Sequence, residues 1–210
     1  MPDIILVHGA MRSGKTSFCR HLHASLDRAF REGRRERRPC ALIEENERDA
    51  DGVPFFLRFR VLGPGLEGED DLIELGRRPP GARTDFRFRE EAFAWAHARL
   101  AAAVALGCSP VILDEVGRLE AREGKGLFDA ISSILEAARA DGTLIPVLSM
   151  REEYAVPLLE RLGIEDHSGM LRVDASSDPE ELAALLASAP GAGRHRASPA
   201  LHCTLTPGGV

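Results

Sequence analysis

The chain is poor in lysine. Of 27 basic residues only Lys15 and Lys125 are lysine; the others are arginine. Other signals are missing too. The four cysteines, Cys19, Cys40, Cys108 and Cys203, show no CxxC spacing. That argues against a disulfide framework or a zinc site and for reduced, mostly buried thiols. No apolar run approaches membrane-spanning length, and Ile4–Val7 is far too short for the hydrophobic region of a signal peptide. A cytoplasmic protein without a membrane partner is therefore expected. The net charge of −6 gives no global attraction to nucleic acid or anionic lipid. The densest basic stretch, Arg28–Arg38, lacks the interleaved aromatics of single-strand binders. It reads as a solvated helix end and loop, with a patch for an acidic partner or nucleic acid as the alternative.

Against that background the position of one lysine is informative. Lys15 lies in Gly9-Ala10-Met11-Arg12-Ser13-Gly14-Lys15-Thr16, a complete G-x-x-x-x-G-K-[ST] loop. A compact ammonium suits a phosphate cradle better than a planar guanidinium does. The apolar run Asp3–His8 precedes the loop as a buried strand, and Ser17–Phe30 follows as a helix with Phe18, Leu22, Leu26 and Phe30 near one face. Strand, glycine-rich turn and helix N-terminus together present inward N–H groups and positive potential to an anion. Candidate phosphate contacts are Gly9, Ala10, Met11, Arg12, Ser13, Gly14, Lys15, Thr16 and Ser17. Lys15 would reach the β- and γ-phosphates, and Thr16 would bind Mg²⁺.

Further along, Cys40–Glu45 and Val53–Leu62 read as the arms of a β-hairpin about the Asp49–Gly52 turn. Residues 63–82 read as a surface excursion, a candidate cover, containing a short strand at Leu72–Leu75. Helices are expected at Arg87–Leu106, Gly126–Ala140, Glu152–Leu162 (with Pro157 tolerable only near its first turn) and Glu180–Ala187. Strands are expected at Pro110–Leu113, Leu144–Ser149 and Met170–Val173. The alternation gives an α/β domain over residues 1–189. Residues 190–210 lack periodicity and read as a disordered tail.

Val111-Ile112-Leu113-Asp114-Glu115 is a second motif, an apolar strand that delivers two carboxylates at its C-terminal end. Asp114 suits a metal partner to Thr16, and Glu115 suits a base that orients or deprotonates water. Arg151, after the next strand, is placed to stabilise transition-state charge, with ion pairing to Glu152 or Glu153 as the alternative. Arg118 and Lys125 could touch the triphosphate or pair with Glu120.

Asp114-Glu115-Val116-Gly117-Arg118-Leu119-Glu120 resembles the D-E-[IV]-G-x-[ML]-E stretch of a P-loop nucleoside-triphosphatase family. That family includes slow thermophilic NTPases and the cancer-related nucleoside-triphosphatase. Gly124-Lys125-Gly126-Leu127-Phe128, the hairpin, and Arg87-Phe88 before the helix are similar as well, so the likeness spans roughly residues 3–175. It implies a RecA-like, mostly parallel sheet with helices on both faces and an inserted β-hairpin. It also implies Mg²⁺-dependent hydrolysis of ATP, GTP and other nucleoside triphosphates with loose base selectivity. Two other readings compete. A nucleotide or small-molecule kinase would share the loop, although no Asp-Arg acceptor signature follows the second strand. A nucleotide-dependent switch would add a protein partner. No N-K-x-D guanine-reading motif is present.

Overall fold

The apolar runs become strands whose side chains alternate between two cores. The computed structural model describes residues 3–64, 71–79 and 86–188. In chain order the elements are β1 (Ile4–His8), α1 (Lys15–Arg31), β2 (Cys40–Arg48), β3 (Pro54–Leu62), β4 (Leu72–Arg77), β5 (Arg87–Phe88), α2 (Glu90–Ala105) and β6 (Val111–Val116). A π-helical turn (Leu119–Glu123) then leads to α3 (Phe128–Ala140), β7 (Pro146–Met150), α4 (Glu152–Arg161), β8 (Met170–Asp174) and α5 (Pro179–Ser188).

The sheet has eight strands in the order β5-β4-β3-β2-β6-β7-β1-β8. The five strands β2, β6, β7, β1 and β8 run parallel. β3, β4 and β5 extend the sheet antiparallel from β2. Successive side chains of a strand face opposite ways. Thus Ile5 and Val7 pack with Phe18, Leu22 and Leu26 of α1 and Leu182 and Leu186 of α5. Ile4 and Leu6 pack on the other face, with Ala96 and Leu100 of α2, Ile131 of α3 and Leu158 of α4. Each fully buried Leu or Ile contributes about 1.5–3 kcal/mol. The result is an α/β fold with a mixed sheet and helices on both faces.

Two expectations need correction and two are refined. The helix expected from Arg87 starts at Glu90, because Arg87 and Phe88 pair with Arg77 and Gly76 as an edge strand. The short strand expected at Leu72–Leu75 is present and extends to Arg77, bonded to β3, so the excursion is partly sheet; its residues 65–70 and 80–82 lie outside the described ones. Pro157 stands inside α4, beyond its first turn, and the helix continues through it. The arginines of 28–38 are engaged rather than free. Arg31 and Arg38 pair with Asp27, Arg34 with Glu32, Arg37 with Asp141 and Arg28 with Glu180. Arg35 donates to the carbonyls of Arg37, Ser109 and Leu186, and burial pulls its pKa down to about 10. The patch reading loses its free charge.

Cys19, Cys40 and Cys108 are free and buried. Among the described residues no helix is long and apolar enough to cross a membrane. Cys203 and the expected tail lie outside the described residues.

Candidate functional site

Parallel strands bring their C-terminal ends to one edge, where ligands of open α/β sheets gather. Here Met150 of β7 lies opposite His8 of β1 on one side and Val116 of β6 on the other. The loops beginning at Gly9, Gly117 and Arg151 therefore leave the sheet together.

The first loop shapes itself around α1. Gly14 caps the helix in the left-handed region at φ 93°, which glycine adopts without a Cβ penalty. Arg12 is also left-handed at φ 65°, a strained state for a residue with a side chain. Its guanidinium reaches toward the Gly52 carbonyl at 3.5 Å. Gly9 matters for space: a Cβ there would come within 2.3 Å of the Ser13 hydroxyl oxygen. That hydroxyl is buried and has no hydrogen-bonding partner among the described residues. No side chain caps α1, and its first turn holds no acid. Among the described residues the other four α-helices each carry Asp or Glu in the first turn. The amides that open α1 therefore have no anionic side chain of their own.

Lys15 lies in that first turn and is 3% exposed. Its Nζ donates to the carbonyls of Ala10 at 3.0 Å and Gly9 at 3.4 Å. Among the described residues no carboxylate forms an ion pair with it. A buried ammonium without a counter-ion is costly unless an anion joins it.

Asp114 is fully buried at the end of β6. Ser149 of β7 donates to its Oδ1 at 3.0 Å, and the Thr16 hydroxyl bonds the same carboxylate. Its Oδ2 has no hydrogen-bonding partner among the described residues. Burial, and then the Glu115 charge, push the Asp114 pKa up to about 6. Ser149 joins the site only because β7 lies beside β6, which no local pattern in the sequence states.

Glu115 turns the other way. Its φ is 58°, and the pairing with β7 shifts register between Leu113 and Val116. A bulge at the end of a strand re-aims a side chain. Adjacent residues thereby present a buried carboxylate and an exposed one. Glu44 on β2 faces the same region. Burial, together with Glu115, Asp114 and Glu120, raises its pKa to about 8. It was missed because a single Glu in a strand carries no motif.

Arg151 stands before α4, pairs with Glu153 at 3.4 Å and lies over the Tyr154 ring. Arg118 and Lys125 pair with Glu123, not with Glu120. Glu120 is 4% exposed and takes amide hydrogens from Gly117 and Leu127, both at 2.9 Å. Its carboxylate is a brace that closes the loop after Glu115. Glu120→Ala leaves two donors without a partner and should cost about 2–4 kcal/mol. Urea denaturation measures this, and an unchanged midpoint would exclude the brace.

No family model, curated protein or solved structure matches the chain. The functional reading therefore rests on the residues themselves.

Proposed function

We propose that this chain is a P-loop enzyme that cleaves nucleoside triphosphates, ATP or GTP with loose base selectivity, to the diphosphate and phosphate. One observation carries the reading: the buried, unpaired Lys15 ammonium at the uncapped, acid-free start of α1. A polyanion completes that arrangement. Its phosphates would accept from the amides of residues 9–17 and from Lys15. The sheet order supports the RecA-like form of the fold, with β7 standing between the loop strand and the acidic strand.

The residues at Thr16 and Asp114 fit Mg²⁺. Both offer hard oxygen donors, and one Asp114 oxygen is buried without a partner. Among the described residues no three His, Cys, Asp or Glu side chains converge as a metal cage. Mg²⁺ with a nucleotide takes few protein ligands and keeps waters and phosphate oxygens instead. Bound there, it would supply neutralising charge to the phosphates. Glu115 would accept the proton of the attacking water as its oxygen joins the γ-phosphorus and the bond from that phosphorus to the β–γ bridging oxygen breaks, leaving the electron pair on the diphosphate. Arg151 would release Glu153 and turn toward the phosphoryl group. The resemblance to the P-loop nucleoside-triphosphatases agrees with this set of roles.

Phosphate release across ATP, GTP, CTP and UTP with Mg²⁺ is the direct test. Turnover of several bases is expected. No release from any of them, with nucleotide binding intact, would favour a switch protein instead.

A further inference from the structure

A cavity of about 430 Å³ opens beside Glu115. It lies on the face of the sheet that carries α2 and α3, whereas α1 packs on the opposite face. One wall is aromatic. Phe86 and Phe88 stack at 6.1 Å, Phe88 tilts against Phe93 at 6.1 Å, and Phe59 meets Phe93 edge-on at 5.9 Å. Phe88 remains 43% exposed, so one edge of the aromatic wall is accessible. The other wall carries the carboxylates of Glu44, Glu115 and Glu123. Among the described residues Glu44 has no hydrogen-bonding partner. Arg118, the basic residue of the lining, is engaged by Glu123.

We propose that this cavity is an acceptor site for a small aromatic alcohol, one whose ring also carries an ammonium group. The inference rests on the triphosphate cleavage proposed above. The volume suits one small organic molecule, and the phenylalanines supply a stacking surface for a ring. The crowded carboxyl groups of Glu44 and Glu115 repel one another, so a cationic donor is favoured beside them and an anionic ligand is disfavoured. Glu115 belongs to both places, at the end of the strand that holds Asp114 and in the cavity lining. The acceptor hydroxyl gives its proton to the Glu115 carboxylate. Its oxygen forms the bond to the γ-phosphorus while the bond from that phosphorus to the β–γ bridging oxygen breaks. The electron pair stays on the departing nucleoside diphosphate. Water in the same position gives hydrolysis, which becomes the background reaction of an empty cavity.

The test uses the full chain, Mg-ATP and 4-(aminomethyl)benzyl alcohol at millimolar concentration, followed by phosphorus NMR. The expected result is a new phosphomonoester signal that grows with ADP at the expense of free phosphate. In Phe88→Ala, a change at a half-exposed position that should fold, the ratio of ester to phosphate should fall roughly five- to tenfold through lost stacking. Glu44→Gln should lower the same ratio while removing no bulk. ATP cleavage that ignores the probe and yields no ester would overturn the acceptor site and leave the hydrolase standing. An ester whose ratio to phosphate is unchanged in both variants would overturn it as well, because transfer would then bypass the cavity. No cleavage with or without the probe would overturn both readings.

Discussion

Glu115→Gln is expected to lower phosphate release by about 10²- to 10⁴-fold while leaving Mg-nucleotide binding in place. The amide keeps the shape of the carboxylate but cannot take a proton. Glu115 is the exposed member of the acidic pair and lies on a re-aimed backbone, so its replacement disturbs no packed contact. Asp114→Asn should behave differently. Asp114 bonds Ser149 and Thr16 and retains an unpartnered oxygen, so its loss should weaken apparent Mg²⁺ affinity, with partial rescue by excess Mg²⁺. Titration calorimetry with Mg²⁺ and a non-hydrolysable analogue, alongside steady-state rates, separates the two. A Glu115→Gln variant that releases phosphate at the original rate would remove Glu115 from the proposed chemistry.

Lys15→Ala should abolish turnover and weaken triphosphate binding by about 10- to 100-fold, the range for losing a charged hydrogen-bonding group. A second measurement tells a binding role from a structural one. Lys15 is buried with only two loop carbonyls as partners. Removing an uncompensated buried charge should leave the nucleotide-free protein as stable as before, or more so. Saturating Mg-ATP should raise the melting temperature of the original chain by mass action, and this rise should be clearly smaller in the variant. A variant that melts much lower without nucleotide, yet gains as much from it as the original chain, would make Lys15 a structural residue.

Several features were legible in the sequence because they are local. The loop, the strand before it and the helix after it lie within 31 residues of the start, and their apolar spacing fixes which sides are buried. The acidic pair was legible for the same reason, since one strand places both carboxylates. What could not be read depends on which strands become neighbours. Ser149 meets Asp114 only through the β6–β7 pairing. The aromatic cavity gathers Phe59 from β3, Phe88 from β5 and Phe93 from α2, which no single window contains. The helix start at Arg87 was misplaced because a two-residue edge strand has no period to detect. Glu120 looked like an ion-pair partner, but its burial made backbone amides the cheaper way to satisfy it.

The position of β7 works as a ruler. Neighbouring strands are about 4.8 Å apart, so one intervening strand holds the axes of β1 and β6 roughly 10 Å apart. Neither loop can set that gap by its own length. Insertions in the loops after His8 or Val116 would reshape the loops and leave the span between the strand ends that carry them unchanged. The two loops can therefore drift independently in evolution, because the frame between them is made of backbone hydrogen bonds rather than side chains.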